Sequence, residues 1–428
     1  MTDERQPGFE TLAIHAGAQP DPATGARVTP IYQTTSYVFD SVEHAASLFN
    51  LEAFGNIYTR IMNPTQAVLE ARIAALEGGT AALAAASGHG AQLLIFHTLL
   101  EPGDEFIAAR QLYGGSINQF NHAFKKFDWQ VVWADADDPA SFERALTPKT
   151  KAIFIESIAN PGGIVIDIPA ISAVAKKAGV PLIVDNTLAT PYLVRPIEHG
   201  ADIIVHSLTK FLGGHGNSIG GAIVDCGTFD WFKSGRYPTL SEPSPSYHGV
   251  TFAETFGNFA FAIACRVFSL RDLGPAISPF NAFLILSGIE TLPLRMQRHC
   301  DNALAVAEWL AGHPQIAWVN YAGLPGNKFH ALAKHYCPKG AGAVFTFGLK
   351  GGYEAGVKLV SNVKLFSHLA NIGDTRSLII HPASTTHRQL SDEARLRAGA
   401  GPDVVRLSIG LEDVGDIIAD LDQALAAA

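Results

Sequence analysis

Between Pro64 and Asp225 two apolar patterns alternate along the chain. Short, nearly continuous apolar runs occupy residues 105–109, 129–134, 152–156, 182–185, 202–207 and 220–224, and they predict buried strands. Between them the period lengthens to that of a helix. Ile171, Val174, Ala175 and Ala178 follow the i, i+3, i+4, i+7 spacing, and Gly179 supplies the stop. Strand–helix alternation of this kind predicts a largely parallel sheet covered on both faces. Ligands of such sheets bind at the carboxyl ends of the strands, where Asp185, Ser207 and Lys210 all fall.

The rest of the chain reads differently. Residues 1–63 are rich in turns and reach the first helical pattern through Tyr58-Thr-Arg60 and Asn63-Pro64. A long irregular segment is uncommon inside a compact domain, so an arm over a neighbouring subunit, or a wrap on the chain's own surface, is expected. From Thr228 to Leu273 the chain turns loop-rich and aromatic. Beyond it a helix near 301–310 and apolar runs at 343–348 and 404–409 predict a smaller C-terminal α/β region. The expected division is an arm at 1–63, a large domain at 64–285 and a C-terminal domain at 286–428.

Composition narrows the class. With 428 residues, 47% hydrophobic and 17% charged, the chain is long and apolar enough for a large core. A net charge of −9 with scattered basic residues argues against a nucleic-acid or anionic-membrane surface. The opening Met-Thr-Asp-Glu-Arg-Gln-Pro-Gly lacks the basic-then-apolar order of a secretory signal. The apolar stretch 81–100 is broken by Ser87, Gly88, His89 and Gly90, which makes a poor membrane span. A cytoplasmic location is expected. Cys226, Cys265, Cys300 and Cys337 form no Cys-x-x-Cys, and the histidines show no metal-ligand spacing, so neither a disulfide framework nor a metal is expected.

The chemistry concentrates in two strand ends. Lys210 follows Asp-Ile-Ile-Val-His-Ser-Leu-Thr, and Asp185 follows Pro-Leu-Ile-Val. A lysine at the mouth of a sheet beside a buried carboxylate is what pyridoxal phosphate needs. The amine forms the Schiff base, and the carboxylate keeps the pyridine nitrogen protonated. Ser207 and Thr209 are suitable hydroxyl donors for the phosphate. Ser87-Gly88-His89-Gly90-Ala91, between an apolar run and a helical one, lets backbone amides approach an anion at a helix start. The glycine run 213–221 precedes a strand, whereas a dinucleotide fingerprint follows one, so a nicotinamide cofactor is a poor reading. Tyr113 could stack on a pyridine face, or be half-buried core. Arg406 lies inside an apolar strand pattern and needs an anion, either a substrate carboxylate or an internal salt bridge.

Taken together, these residues resemble the Cys/Met-metabolism family of pyridoxal phosphate enzymes, with the aspartate-aminotransferase fold (fold type I). The resemblance runs from about Phe9 to Leu411. It rests on Thr11-Leu-Ala-Ile-His-Ala-Gly17, Tyr58-Thr-Arg60 with Asn63-Pro-Thr65, Glu156 to Pro161, Asp185-Asn-Thr187, Ser207-Leu-Thr-Lys210 and His381-Pro-Ala-Ser-Thr-Thr-His387. It implies Lys210 as the Schiff-base lysine, Asp185 as the pyridine-nitrogen partner and Tyr113 as the stacking ring. It implies that Gly88, His89, Thr187, Ser207 and Thr209 bind the cofactor, joined by Tyr58 and Arg60 from the adjacent subunit. Asn160, Ser377 and Arg406 are implied at the substrate carboxylate and cofactor edge, with Tyr58 also near the substrate. A homotetramer built from catalytic dimers is implied as well.

Subgroup features point to one activity within the family. They are Gly214-His-Gly-Asn-Ser-Ile-Gly-Gly221, the insert with Pro245-Ser-Tyr-His-Gly249, the segment from Arg271 to Phe283, and Glu290-Thr-Leu-Pro-Leu-Arg295. The implied reaction is γ-replacement on O-acetyl-L-homoserine by sulfide or methanethiol. An O-succinyl donor or a cystathionine γ-lyase or synthase would use the same core residues. Two positions depart from the family pattern: His89 stands where methionine or glutamine is usual, and Asn217 where the subgroup often has threonine.

Overall fold

Strands buried on both faces build the larger of two sheets in the computed structural model. The structure describes residues 6–160, 163–386, 388–389, 391–397 and 399–428; Pro161 and His387, which close two of the motifs above, lie outside the described residues, as do residues 1–5. The first strands are β1 (Ala81–Ala85), β2 (Glu105–Ala109), β3 (Gln130–Ala134) and β4 (Thr150–Glu156). A short ribbon of β5 (Ile158–Ala159) and β6 (Ile164–Val165) follows, then β7 (Leu182–Asp185), β8 (Ile203–Ser207) and β9 (Gly221–Asp225). The seven-stranded sheet has the order β1-β9-β8-β7-β4-β2-β3. From β8 to β3 all neighbours are parallel, and β9 runs antiparallel to both β8 and β1. Ile153 to Ile155, Leu182 to Val184 and Ile203 to Val205 are fully buried, which is why these strands read as continuous apolar runs.

Helices cover both faces, and local signals fix their ends. Asn63 caps Pro64–Glu77 by accepting from Thr65 N, and Gly78 ends it at φ 80°. Ser87 caps Gly88–Leu99 through Gly90 N at 3.0 Å. Asp167 caps Ile168–Ala178, and Gly179 closes it at φ 66°, as the spacing predicts.

The second sheet comprises β10 (Ile316–Asn320), β11 (Val344–Leu349), β12 (Ser367–His368), β13 (Leu378–Ile380) and β14 (Val404–Ser408), in the order β10-β11-β14-β13-β12. The helix expected near 301–310 is longer, Leu292–Gly312, with Pro293 accommodated in its first turn. Two helices, Phe9–His15 and Val42–Phe49, interrupt the segment expected to be turns. At seven and eight residues they are shorter than the window over which a helical period can be read. In the loop-rich region Trp231 stacks on Phe261 at 5.2 Å and meets Tyr237 edge-on at 5.1 Å, which gives the aromatic stretch its own small core. Among the described residues no helix is long and apolar enough to cross a membrane, and no cluster of His, Cys, Asp and Glu could hold a metal ion. All four cysteines are buried and free.

The start of β9 lies hard against the turn between β1 and Gly88–Leu99. A Cβ on Gly221 would fall 2.1 Å from Ser87 O and 2.7 Å from Gly88 N. Gly221→Ala should therefore force the strand and turn apart, at about 1–3 kcal/mol for overpacking. A thermal melt should show a lowered Tm; an unchanged Tm would contradict the packing described.

Candidate functional site

The carboxyl ends of β4, β7 and β8 open into a cleft of about 260 Å³. Its floor carries Glu156 and Asp185, paired side by side in the parallel register of β4 and β7. Its far wall comes from the second sheet: Arg406 on β14, and Ala370, Asn371 and Ile372 between β12 and β13. Most residues expected at a site meet here. Gly88, His89, Tyr113, Asn160, Asp185, Thr187, Ser207, Thr209, Lys210 and Arg406 all line the cleft.

Burial pushes both floor carboxyls up. Glu156 is driven well above the usual carboxylate range by burial and by the adjacent Asp185 charge. Asp185 is raised by burial, and its hydrogen bonds to Thr187 oppose the shift. Of the two, Glu156 is pushed up the more strongly. It also organises the cleft, because its Oε1 accepts from Tyr113 N at 2.6 Å and its Oε2 from Asn160 N at 2.9 Å. Asp185 Oδ1 accepts from Thr187 N at 2.9 Å, and the Thr187 hydroxyl accepts from Ser207 N at 2.8 Å. Beneath this turn Asn186 donates to Glu77 at 2.7 Å, and the same Glu77 oxygen meets His206 Nε2 at 2.6 Å; all three are buried.

Lys210 sits in the turn after β8, with its Nζ hydrogen-bonded to Asn371 Oδ1. Burial, then the Arg406 charge, draws its pKa down to about 8. Roughly a tenth to a fifth of the amine is then neutral near physiological pH, far more than for an ordinary lysine, and the neutral amine is the form that attacks a carbonyl. Arg406 reaches Asn160 Oδ1 at 3.2 Å and Asn371 O at 3.4 Å. No described carboxylate forms an ion pair with it, so the internal salt bridge is not made, and burial lowers its pKa to about 10.

The upper rim fits an anion. The first amides of Gly88–Leu99 have no acceptor within the helix. A Cβ on Gly88 would come within 3.0 Å of Ser207 Cβ, so this backbone and the end of β8 share one small hollow with Thr209. Thr209 Oγ1 accepts from Gly220 N at 3.1 Å. The rings of His89 and Tyr113 stack at 5.8 Å, inclined by 26°, and a Cβ on Gly115 would strike both. Burial lowers the His89 pKa, so its imidazole is neutral at pH 7. A phosphate hollow, a covering ring, a lysine and a buried carboxyl within one cleft fit pyridoxal phosphate. The glycine run before β9 opens no helix and offers no dinucleotide turn.

Ser377 lies outside the cleft, and so do Tyr58 and Arg60, which were expected to serve the adjacent subunit. The Ser377 hydroxyl donates to Glu412 at 2.9 Å and accepts from Gly410 N at 2.9 Å, so it is fully engaged away from the cleft. Tyr58 and Arg60 face a separate surface hollow with Thr35 and Pro279, and the Arg60 guanidinium lies 5.5 Å from the Tyr58 ring. Glu156 and Asn371 are among the cleft residues that went without a role in the sequence reading. Glu156 ends an apolar strand just as Asp185 does, and the same reasoning applied to it would have found it. Asn371 lies in an irregular segment with no periodic signal.

The chain matches the model of the family described as Cys/Met metabolism PLP-dependent enzyme over residues 10–426. It is 55% identical to the O-acetyl-L-homoserine sulfhydrylase of Leptospira meyeri, covering 97% of this chain and 96% of that one. It is 54% identical to O-acetyl-L-homoserine sulfhydrylase 1 of Thermus thermophilus (98% and 100% covered), and 50% to the homocysteine synthase of Schizosaccharomyces pombe (98% of each). A crystal structure of a Campylobacter jejuni protein assigned as an O-acetylhomoserine (thiol)-lyase superposes with a TM-score of 0.95 at 41% identity, covering 98% of this chain and 100% of that one. That protein carries a pyridoxyl-lysine monophosphate.

Replacing Glu156 with Gln puts an amide NH2 against one of two backbone N–H donors. Glu156→Gln should lose one buried hydrogen bond, about 1–3 kcal/mol, and loosen Tyr113 or Asn160. The expected readout is a lowered Tm together with weaker cofactor retention; unchanged values for both would contradict the role given to Glu156.

Proposed function

We propose, from the premise that this chain belongs to the Cys/Met metabolism family of pyridoxal phosphate-dependent enzymes, that it replaces the acetate of O-acetyl-L-homoserine with sulfide or methanethiol. The products are acetate and L-homocysteine or methionine. The observation that carries the reading is near-full-length likeness, at about half of all positions, to enzymes named for this donor. The cofactor, when bound, supplies the electron sink that makes the Cα and Cβ protons labile. Arg406 holds the donor's α-carboxylate, and Asn160 steadies the guanidinium. Lys210 removes and returns protons at Cα and Cβ, Asp185 keeps the ring nitrogen protonated, and Tyr113 covers the ring face. Acetate departs from Cγ, and the thiol sulfur adds at the same carbon.

The charges in the cleft favour a neutral acyl group. Among the described residues lining it, Lys210 and Arg406 are the only lysine or arginine. Lys210 is committed to the proton transfers at Cα and Cβ, and Arg406 to the α-carboxylate. A succinyl carboxylate, or the second carboxylate of cystathionine, would then enter without a cation, near the acids of the floor.

The assembly reading belongs to the same proposal. Val38, Val42 and Phe54 are 97%, 81% and 86% exposed on the segment that leads to Tyr58 and Arg60. An arm packed on a second copy would cover them and deliver Tyr58 and Arg60 to that copy's phosphate hollow. A tetramer of such dimers in the cytoplasm, with the three-part division of the chain described above, completes the proposal.

Two measurements test it. The purified, cofactor-loaded protein should form homocysteine from sulfide and O-acetyl-L-homoserine with a kcat/KM on the order of a hundredfold or more above that for the succinyl ester, the scale of one buried charge left unpaired. Equal use of both esters, or rapid cleavage of cystathionine, would overturn the donor assignment. Separately, the rate at which the cofactor-free protein captures pyridoxal phosphate should rise with pH through about 8 and then level, because a lowered Lys210 pKa makes the neutral amine dominant above that point. A rate still climbing toward about pH 10.4, as for an ordinary lysine, would contradict it.

A further inference from the structure

We infer that Arg295 is a positioning residue for Lys210, clamping the turn that carries the lysine to the start of the helix Leu292–Gly312. The turn is short, and within it Gly213 N donates to Leu208 O at 2.9 Å and Gly214 N to Lys210 O at 2.7 Å. Arg295 reaches it from the C-terminal half of the chain. Its Nη1 donates to Phe211 O at 2.7 Å and its Nη2 to Leu212 O at 3.2 Å, the two carbonyls directly after Lys210. The same guanidinium donates to Gly288 O at 2.7 Å and Thr291 Oγ1 at 3.1 Å. It is 5% exposed, and no described carboxylate pairs with it. Burial lowers its pKa to about 10.

A buried cation without a counter-ion is a costly way to pack a helix on a loop, and an apolar side chain of similar volume would do that better. What the guanidinium adds is direction, since its planar fork fixes several carbonyls at once. The backbone is shaped to admit it. Gly214 has φ 75°, and a Cβ there would lie 2.1 Å from Arg295 Nη1. A Cβ on Gly288 would lie 2.1 Å from Gly213 O. One helical turn on, His299 Nδ1–H donates to Ile409 O at 2.7 Å, just past β14, and its ring meets Phe211 edge-on at 5.1 Å. The helix thus holds the lysine's turn at Phe211 and the end of Arg406's strand at Ile409. The segment between them closes the frame, with Thr375 N on Gly214 O at 2.9 Å and Gly373 N on Ser408 Oγ at 3.0 Å.

This inference rests on Lys210 being the lysine that holds the cofactor, which borohydride reduction of the wild-type holoenzyme and peptide mapping test separately. Arg295→Lys keeps the charge without the fork, and Arg295→Met keeps the bulk without donors. The readouts are the pH midpoint of the bound cofactor's visible absorbance, the rate of borohydride fixation at Lys210, and kcat against KM. Both variants should displace the midpoint and lower kcat by roughly tenfold to a hundredfold, the scale of a small misplacement of a reacting group, with Arg295→Lys the milder. If wild type is fixed at Lys210 and both variants keep its midpoint, fixation rate and kcat, the clamp alone is overturned. If neither variant folds, the clamp is also overturned, in favour of plain scaffolding. If wild type is fixed elsewhere, the reading of the site fails and the clamp fails with it.

Discussion

Two carboxyls buried side by side at the ends of neighbouring parallel strands set the terms for the rest of this structure. Glu156 and Asp185 occupy the same register on β4 and β7 and share the floor of one cleft. In a low-dielectric floor two adjacent negative charges are prohibitive, so one group stays protonated and the other awaits a cation. Glu156 is pushed the harder toward the neutral form, by burial and by the Asp185 charge, while the backbone N–H groups of Tyr113 and Asn160 that it holds work against that shift. Asp185 is left as the group whose charge a protonated pyridine nitrogen would balance. The sheet order requires this adjacency, since β4 and β7 are neighbours through a right-sized crossover containing Ile168–Ala178.

The rest of the cleft carries the complementary imbalance. Lys210 and Arg406 face the cleft without a carboxylate partner among the described residues, and each is depressed by burial, Lys210 also by Arg406. Cations left unpaired in a protein interior raise the free energy of the empty site, and they do so where a phosphate, an α-carboxylate and an aldehyde would relieve it. For Lys210 the depression is itself useful, because it creates the neutral amine. For Arg406, whose pKa stays far above neutrality, the charge persists and is available for a carboxylate. One environment therefore has opposite consequences for the two residues, and the difference follows from their intrinsic basicities.

Much of this was legible before any coordinates, and the reason is physical. Strands buried on both faces must be continuously apolar, so a charged or polar residue that ends such a run, as Asp185, Ser207 and Lys210 do, is conspicuous. Arg406 stood out for the same reason. Gly179 could be read as a helix stop because only a residue tolerant of positive φ ends a helix in that way. The two helices before residue 50 could not be read, being too short for a period to emerge. Ser377 and Asn371 show the other limit. Both lie between β12 and β13 or at the edge of β13, where no repeat assigns side chains to a face. Only the tertiary path decides that Asn371 meets Lys210 while Ser377 turns to Glu412.

A cleft whose walls belong to different sheets has a registration problem that apolar packing alone does not solve. Lys210 hangs from the larger sheet and Arg406 from the smaller, yet both must meet one amino acid whose amino and carboxylate groups are separated by a single carbon. Catalytic groups tolerate errors of only about half an ångström, whereas apolar contacts are non-directional and allow sliding of that size. Directional contacts are needed, and they appear where the two walls join. Arg295 fixes the carbonyls after Lys210, His299 fixes Ile409, and Asn371 touches both the lysine and, through its carbonyl, Arg406. Gly214 and Gly288 belong to the same solution, because a Cβ on the first would strike the Arg295 guanidinium and one on the second the carbonyl of Gly213. Polar groups buried at this junction thus serve geometry more than stability, which explains why a charge as costly as Arg295 is placed where no substrate reaches it.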